Sequence, residues 1–149
     1  MARILVTGGV GFIGYHVSCA LLDRGDEVTI VDDFSDAPYP RVRKQRNQSE
    51  LHATHPGTRI VHACVTDRAT LAPLFDGVDG VIHLAGLAGV RPSFADPARY
   101  ARVNVEGTAV AHELAREKGI QRFVFASSSS VYGTPTPLPA REEAEAIAP

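Results

Sequence analysis

Ile4-Leu5-Val6-Thr7-Gly8-Gly9-Val10-Gly11-Phe12-Ile13-Gly14 is the stretch that decides the fold. It starts as a short apolar run, passes through three glycines spaced three apart, and enters a helical pattern. The first glycine answers a tight turn that needs positive φ. The second lets a ligand approach the backbone without meeting a Cβ. The third lets a helix pack closely on the strand before it. A helix that opens at such a turn presents free N–H groups and the positive end of its dipole to an anion. Strand before and helix after are the context that gives a glycine pattern its meaning.

Outward from that turn, apolar runs recur at 4–7, 28–31, 59–63, 80–85 and 122–126. They are rich in Val, Ile and Phe, and most lack strict alternation. Such runs suit strands buried on both faces of a parallel sheet. Helical patterns lie between them. Ile13, Val17, Ala20 and Leu21 form one stripe, and Gly25 marks its stop. Residues 96–118 open on Asp96-Pro97, an N-cap with proline at the first helical position, and close on Gly119. Val103, Gly107, Val110 and Leu114 line their stripe. Residues 67–75 form a shorter helix candidate, and 41–54 a polar helix or loop of weak period. This alternation predicts an α/β fold, a doubly wound parallel sheet of Rossmann type. Right-handed crossovers give strand order 3-2-1-4-5, truncated before a sixth strand. Residues 1–133 form the expected, partial dinucleotide-binding domain. Residues 134–149, with four prolines and three glutamates, read as a loop or tail.

Composition fits one ordinary globular domain: 149 residues, 44% hydrophobic and 21% charged. The net charge of -2 calls for neither nucleic acid nor an anionic membrane as partner. Cys19 and Cys64 have no zinc-like spacing, so no metal site and no disulfide framework are expected, and a reducing cytoplasm is the natural setting. Met1-Ala2-Arg3 carries no signal-peptide pattern, and no run reaches membrane-spanning length.

Asp32 and Asp33 close the second run, about 20 residues past the glycine turn. A carboxylate there accepts from adenosine ribose hydroxyls and repels a 2′-phosphate, which favours NAD over NADP. Arg41 and Arg43 are the residues within reach of a 2′-phosphate under the minor reading. With Lys44 and Arg46 they otherwise form a solvated basic helix face. His83, inside an apolar run, reads as a core histidine rather than a catalyst.

TGGVGFIG (7–14), VDDFSD (31–36), HLAGLAGV (83–90), YARVNVEGT (100–108) and FVFASSSSVYG (123–133) together resemble the extended short-chain dehydrogenase/reductase family. GVRPS (89–93) and the serine run are most similar to nucleotide-sugar 4-epimerases, UDP-glucuronate 4-epimerases in particular. The resemblance runs the length of the chain. It implies a bound NAD that removes hydride from C4 of the sugar and returns it to the other face. It implies that Gly8, Gly11, Phe12 and Ile13 contact the pyrophosphate, and that Asp32, Asp33 and Ser35 surround the adenosine ribose. Val65 would touch the adenine, and Leu84, Ala85 and Gly86 the nicotinamide end. Asn104 would be a structural or cofactor-side asparagine. Ser128 would be the catalytic hydroxyl on the sugar C4 oxygen, flanked by Ser127 and Ser129. Arg91, in GVRPS, reads equally as the partner of a uronate carboxylate and as an arginine of a surface loop. The family also implies a homo-oligomer acting on a nucleotide sugar.

Two positions depart from the family. The aspartate that takes the adenine amino group is replaced by Cys64, a poor acceptor. The catalytic Tyr-x-x-x-Lys pair is absent: residues four beyond Tyr15, Tyr39, Tyr100 and Tyr132 are Cys19, Arg43, Asn104 and Thr136. The chain is therefore expected to be an amino-terminal part, without the substrate domain, inactive as an epimerase on its own and prone to self-association. A stand-alone dinucleotide-binding regulatory module is the rival from another class. A dehydratase or reductase on the same scaffold is a third reading. Serines at 129 and 130, where dehydratases carry Asp and Glu, argue against dehydration.

Overall fold

The computed structural model describes residues 1–133 and 139–141. The expectation for 134–149 falls almost wholly outside the described residues. Five parallel strands form one sheet in the order β3-β2-β1-β4-β5. They are β1 (Arg3–Thr7), β2 (Glu27–Asp32), β3 (Arg59–His62), β4 (Gly80–His83) and β5 (Arg122–Phe125). Each expected run is a strand, shifted by at most two residues at an end. Among the described residues no helix is long and apolar enough to cross a membrane.

Adjacent side chains on a strand face opposite sides, and the core accordingly divides in two. Leu5, Val31 and Val81 join Leu71, Phe75 and Leu114 on one face. Val6, Val28 and Ile30 join Leu21, Phe34 and Leu51 on the other. On the second face lie α1 (Phe12–Asp23) and α2 (Arg41–Thr54). The inward residues of α1 are Gly14, Ser18 and Leu21. The expected stripe through Ile13 and Ala20 is corrected here, since both are exposed. The helix sits so close to the turn that only small residues fit beneath its first turns.

The first face is covered by α3 (Arg68–Leu71), a 3-10 turn (Ala72–Phe75) and the long helical segment. Asp67 caps α3 by accepting from the Thr70 N–H at 3.1 Å. The long segment begins as α5 (Pro97–Ala101), with Asp96 as its cap, and ends as α6 (Gly107–Glu117). Between them Arg102–Glu106 forms a π-helical turn. Such turns recur at functional sites, and this one holds Asn104. A short helix not expected from the sequence, α4 (Val90–Ala95), precedes α5. At the outer strand β5, Val124 and Phe125 are more than half exposed.

His83 ties the two central strands to α6. Its Nδ1 lies 2.7 Å from Thr7 Oγ1 and its Nε2 3.1 Å from Thr108 Oγ1. The Thr108 hydroxyl donates its only proton to the Asn104 carbonyl at 2.7 Å. Nε2 must then carry the hydrogen, and bare Nδ1 accepts from Thr7. Thr7 Oγ1 in turn accepts from the Ala85 N–H at 3.3 Å. The ring is 1% exposed and lies against Phe123 and Phe125. The core reading of His83 agrees with this placement.

Burial pushes the His83 pKa down to about 4 from 6.5. Between those values the unfolded chain binds the proton and the folded chain refuses it. Stability is therefore full above pH 6.5 and falls as pH drops toward 4. Urea unfolding at pH 7.5 and pH 4.5 should show wild type losing about 2–3 kcal/mol more than His83→Gln. Equal losses would rule out a neutral, proton-refusing His83. Leu5→Ala, at a fully buried position, should cost about 2–5 kcal/mol. Val42→Ala, on an exposed helix face, should stay within about 0.5 kcal/mol in the same assay.

Candidate functional site

The sheet register brings the strand ends to one edge. Thr7 pairs with Val31 and with His83, His83 with Phe125, and Asp32 with His62. The residues just past those ends therefore meet. They line a cleft of about 350 Å³, at the reversal of strand order between β1 and β4, where α/β sheets bind ligands.

Eleven of the twelve expected cofactor residues line this cleft: Gly8, Gly11, Phe12, Ile13, Asp32, Asp33, Ser35, Val65, Leu84, Ala85 and Gly86. Gly8 adopts φ +69°, and a Cβ there would stand 2.7 Å from the Ala85 nitrogen. A Cβ on Gly14 would run into the Gly8 carbonyl oxygen. The turn thus sits directly on the chain leaving β4 and beneath the start of α1. Phe12 and Ile13 are exposed at the helix N-terminus.

At the other end of the cleft, Asp32 is 4% exposed. Its Oδ1 accepts from the Phe34 N–H and from the Lys44 ammonium, each at 2.9 Å. Among the described residues no donor reaches its Oδ2. Asp33 Oδ1 accepts from the Ser35 N–H at 2.8 Å and from Lys44 at 3.4 Å. Burial raises the Asp33 carboxyl, but Ser35 and Lys44 outweigh it, so the pKa lies below the ordinary value. The solvated reading of Lys44 is corrected: its side chain is 8% exposed and lines the cleft. Arg41 does not face the carboxylates. Its Nε donates to the Phe34 carbonyl at 2.7 Å and lies 3.8 Å from Asp36. Arg43 is exposed.

Asn104 is the twelfth residue and lines a second cleft, of about 580 Å³, beside the first. Its amide clamps Leu87, accepting from the N–H at 2.8 Å and donating to the carbonyl at 3.0 Å. Both functions of the amide are thus spent on shaping the wall that the two clefts share. Ser127 and Ser128 line the second cleft with Tyr100 and Ser93. The Ser128 hydroxyl accepts from the Ser130 N–H at 3.2 Å and lies 3.1 Å from Ser130 Oγ. Ser129 opens a 3-10 turn (Ser129–Tyr132) and lines neither cleft. Arg91, on α4 rather than a loop, is exposed and also lines neither.

Two polar residues that the sequence reading did not assign to the site line the first cleft. Lys44 is one. Tyr39 is the other: its hydroxyl accepts from the Phe12 N–H at 2.7 Å, at the mouth of the glycine turn. Cys64 lies outside this cleft, with its sulfur 3.1 Å from Thr66 Oγ1.

Known proteins match this arrangement. UDP-glucose 4-epimerase of Erwinia amylovora is 38% identical over 138 residues, which cover 91% of this chain and 40% of that protein. UDP-glucuronate 4-epimerase 3 of Arabidopsis thaliana is 40% identical over 143 residues, covering 94% of this chain and 33% of that one. The crystal structure of a UDP-glucuronic acid 4-epimerase mutant from Bacillus cereus, in complex with NAD and a fluorinated UDP-glucuronic acid, superposes with a TM-score of 0.85. It is 31% identical, covering 97% of this chain and 46% of that one. The chain thus spans less than half the length of these relatives. The model of the NAD dependent epimerase/dehydratase family matches residues 4–149, and the chain belongs to that family.

Proposed function

We propose that this chain supplies the NAD site and the serine-bearing wall of the sugar site of a nucleotide-sugar 4-epimerase. The observation that carries the reading is the first cleft, which gathers a phosphate-type turn, a ribose-type carboxylate and the exit of β4 at one sheet edge. The fit to a dinucleotide is physical. The start of α1 offers backbone N–H groups and a positive dipole to a pyrophosphate. Gly11 leaves room there, since a Cβ would stand 3.2 Å from the Tyr39 hydroxyl. Asp32 keeps one carboxylate oxygen for a ribose hydroxyl.

NAD, when bound, supplies the hydride acceptor and donor for C4 of the sugar. The chain's own residues bind and orient. Gly8, Gly11, Phe12 and Ile13 hold the pyrophosphate. Asp32, Asp33 and Ser35 hold the adenosine ribose, and Val65 supports the adenine. Leu84, Ala85 and Gly86 line the nicotinamide end, on a wall fixed by Asn104. Ser128 donates its hydroxyl proton to the sugar C4 oxygen, with Ser127 and Ser129 beside it. Of the four consecutive serines, 127–130, Ser127 and Ser128 line the second cleft and favour a uronate, because their hydroxyls can donate to a carboxylate. Arg91 is the candidate counter-ion for that carboxylate. The same serines disfavour the dehydratase reading, which needs an acid and a base at 129 and 130.

No tyrosine of this chain has lysine four residues later. These 149 residues therefore bring no lysine-supported phenolate of that pattern to take the C4 hydroxyl proton. The purified chain should bind NAD in a calorimetric titration. Gly11→Val should weaken binding by about tenfold or more, roughly 1.4 kcal/mol, with helical circular dichroism retained. The same chain should not interconvert UDP-glucuronate and its C4 epimer. Absence of NAD binding by the wild-type chain would sink the site assignment, and enzyme-like turnover would sink the inactivity.

A further inference from the structure

We propose that Tyr39 is a gate on the glycine turn: its hydroxyl holds the Phe12 N–H, and a pyrophosphate binds there only by displacing it. The inference rests on the NAD reading of the first cleft.

The turn offers an anion few donors. The Gly11 N–H already serves the Gly8 carbonyl at 3.0 Å. The next one along, the Phe12 N–H, donates to the Tyr39 hydroxyl at 2.7 Å. That oxygen stands over Gly11, where a Cβ would meet it at 3.2 Å. It therefore fills the space that Gly11 opens by having no side chain. Gly11, Phe12 and Tyr39 all line the first cleft. An N–H serves one acceptor in line with it. A second oxygen can share the hydrogen only at bent angles, where the bond weakens steeply. Phenol and phosphate thus compete for a single proton.

The loop that carries Tyr39 is built to let go. Its base is held on both sides: the Ser35 N–H donates to Asp33 Oδ1 and the Arg41 N–H to Asp36 Oδ1, each at 2.8 Å. Its tip, residues 37–39, makes no hydrogen bond among the described residues besides the one to Phe12. Breaking that one neutral bond releases the tip and leaves the base in place. A phosphate oxygen restores the Phe12 bond in charge-assisted form, roughly twice as strong. An uncharged oxygen gains nothing by the same exchange. The gate therefore yields to a phosphate and stays shut to a neutral ligand. Its closure shows as lost affinity, because only the open fraction of the chain binds.

The test is a calorimetric titration of NAD and of ADP-ribose into the wild-type chain, Tyr39→Phe and Tyr39→Leu, each checked for a cooperative melt. Tyr39→Phe removes the hydroxyl and keeps the ring. It should bind both ligands about two- to tenfold more tightly than wild type, the worth of one neutral hydrogen bond. A tyrosine that only shapes the loop, or that donates to the phosphate itself, gives the opposite sign. Equal or weaker binding by Tyr39→Phe therefore overturns the gate. So does a gain for NAD that ADP-ribose lacks, since the two share the pyrophosphate. Tyr39→Leu decides by the same sign if Tyr39→Phe does not melt cooperatively. Failure of the wild-type chain to bind either ligand overturns the dinucleotide site itself, and this inference with it. A wild type that binds leaves the site standing whatever the variants do.

Discussion

The site depends on a backbone contact that tolerates no side chain. Gly8 lies on the chain leaving β4, so close that its missing Cβ would fall within 2.9 Å of both Leu84 and Ala85 backbone atoms. Gly14 holds the first turn of α1 against the Gly8 carbonyl in the same manner. Strand, helix and β4 exit are therefore fixed relative to one another by van der Waals contact between main chains, which are the stiffest parts of the molecule. The cleft inherits that stiffness. Its floor is the turn, one wall is the segment after β4, and the start of α1 lines it as well. Any side chain at Gly8 would separate β1 from the β4 exit and open the cleft from below.

A second constraint follows from burial. The centre of a parallel sheet covered on both faces cannot hold an unpaired charge. His83 meets this by staying neutral, with one ring nitrogen accepting and the other donating. The chain Ala85 N–H to Thr7 to His83 to Thr108 to the Asn104 carbonyl has a defined direction at every link. It begins at the wall of the first cleft and ends in the π-helical turn beside the second. Asn104 then closes the loop by clamping Leu87. The wall between the two clefts is thereby held from both sides. Under the proposed epimerase reading that wall must be rigid, because cofactor and sugar would meet across it.

The fold was legible because strands buried on both faces write continuous apolar runs, and because Gly8, Gly11 and Gly14 each answer a steric demand. The cleft was legible for the same reason: register carries Asp32, Val65 and residues 84–86 to one edge once the strands are known. What stayed hidden is polar. The inward face of α2 is Lys44, Asn47 and Leu51, with Asn47 donating to the Val10 carbonyl at 2.9 Å. With Leu51 as the one apolar residue on that inward face, there is no stripe to read, and Lys44 reads as a solvated charge. Tyr39 acts through its hydroxyl from a loop whose path no periodicity encodes. The π turn keeps the helical period on both sides of itself and so leaves no mark. GVRPS reads as a loop because proline interrupts it, yet Pro92 sits near the start of α4, where its missing N–H costs nothing.

The two ends of the first cleft select by different physics. At the α1 end, partial charges on backbone N–H groups attract any phosphate, and nothing there distinguishes one dinucleotide from another. At the α2 end stand full charges, Asp32, Asp33 and Lys44. Asp32 and Asp33 alone would repel a phosphate strongly and would also repel each other. Lys44 relieves that repulsion, and against the upward push of burial Ser35 and Lys44 keep the Asp33 pKa below its ordinary value. The geometry seats the ammonium on Oδ1 of each carboxylate, and Asp32 Oδ2, which no donor reaches among the described residues, is the oxygen that the proposed reading offers to the ribose.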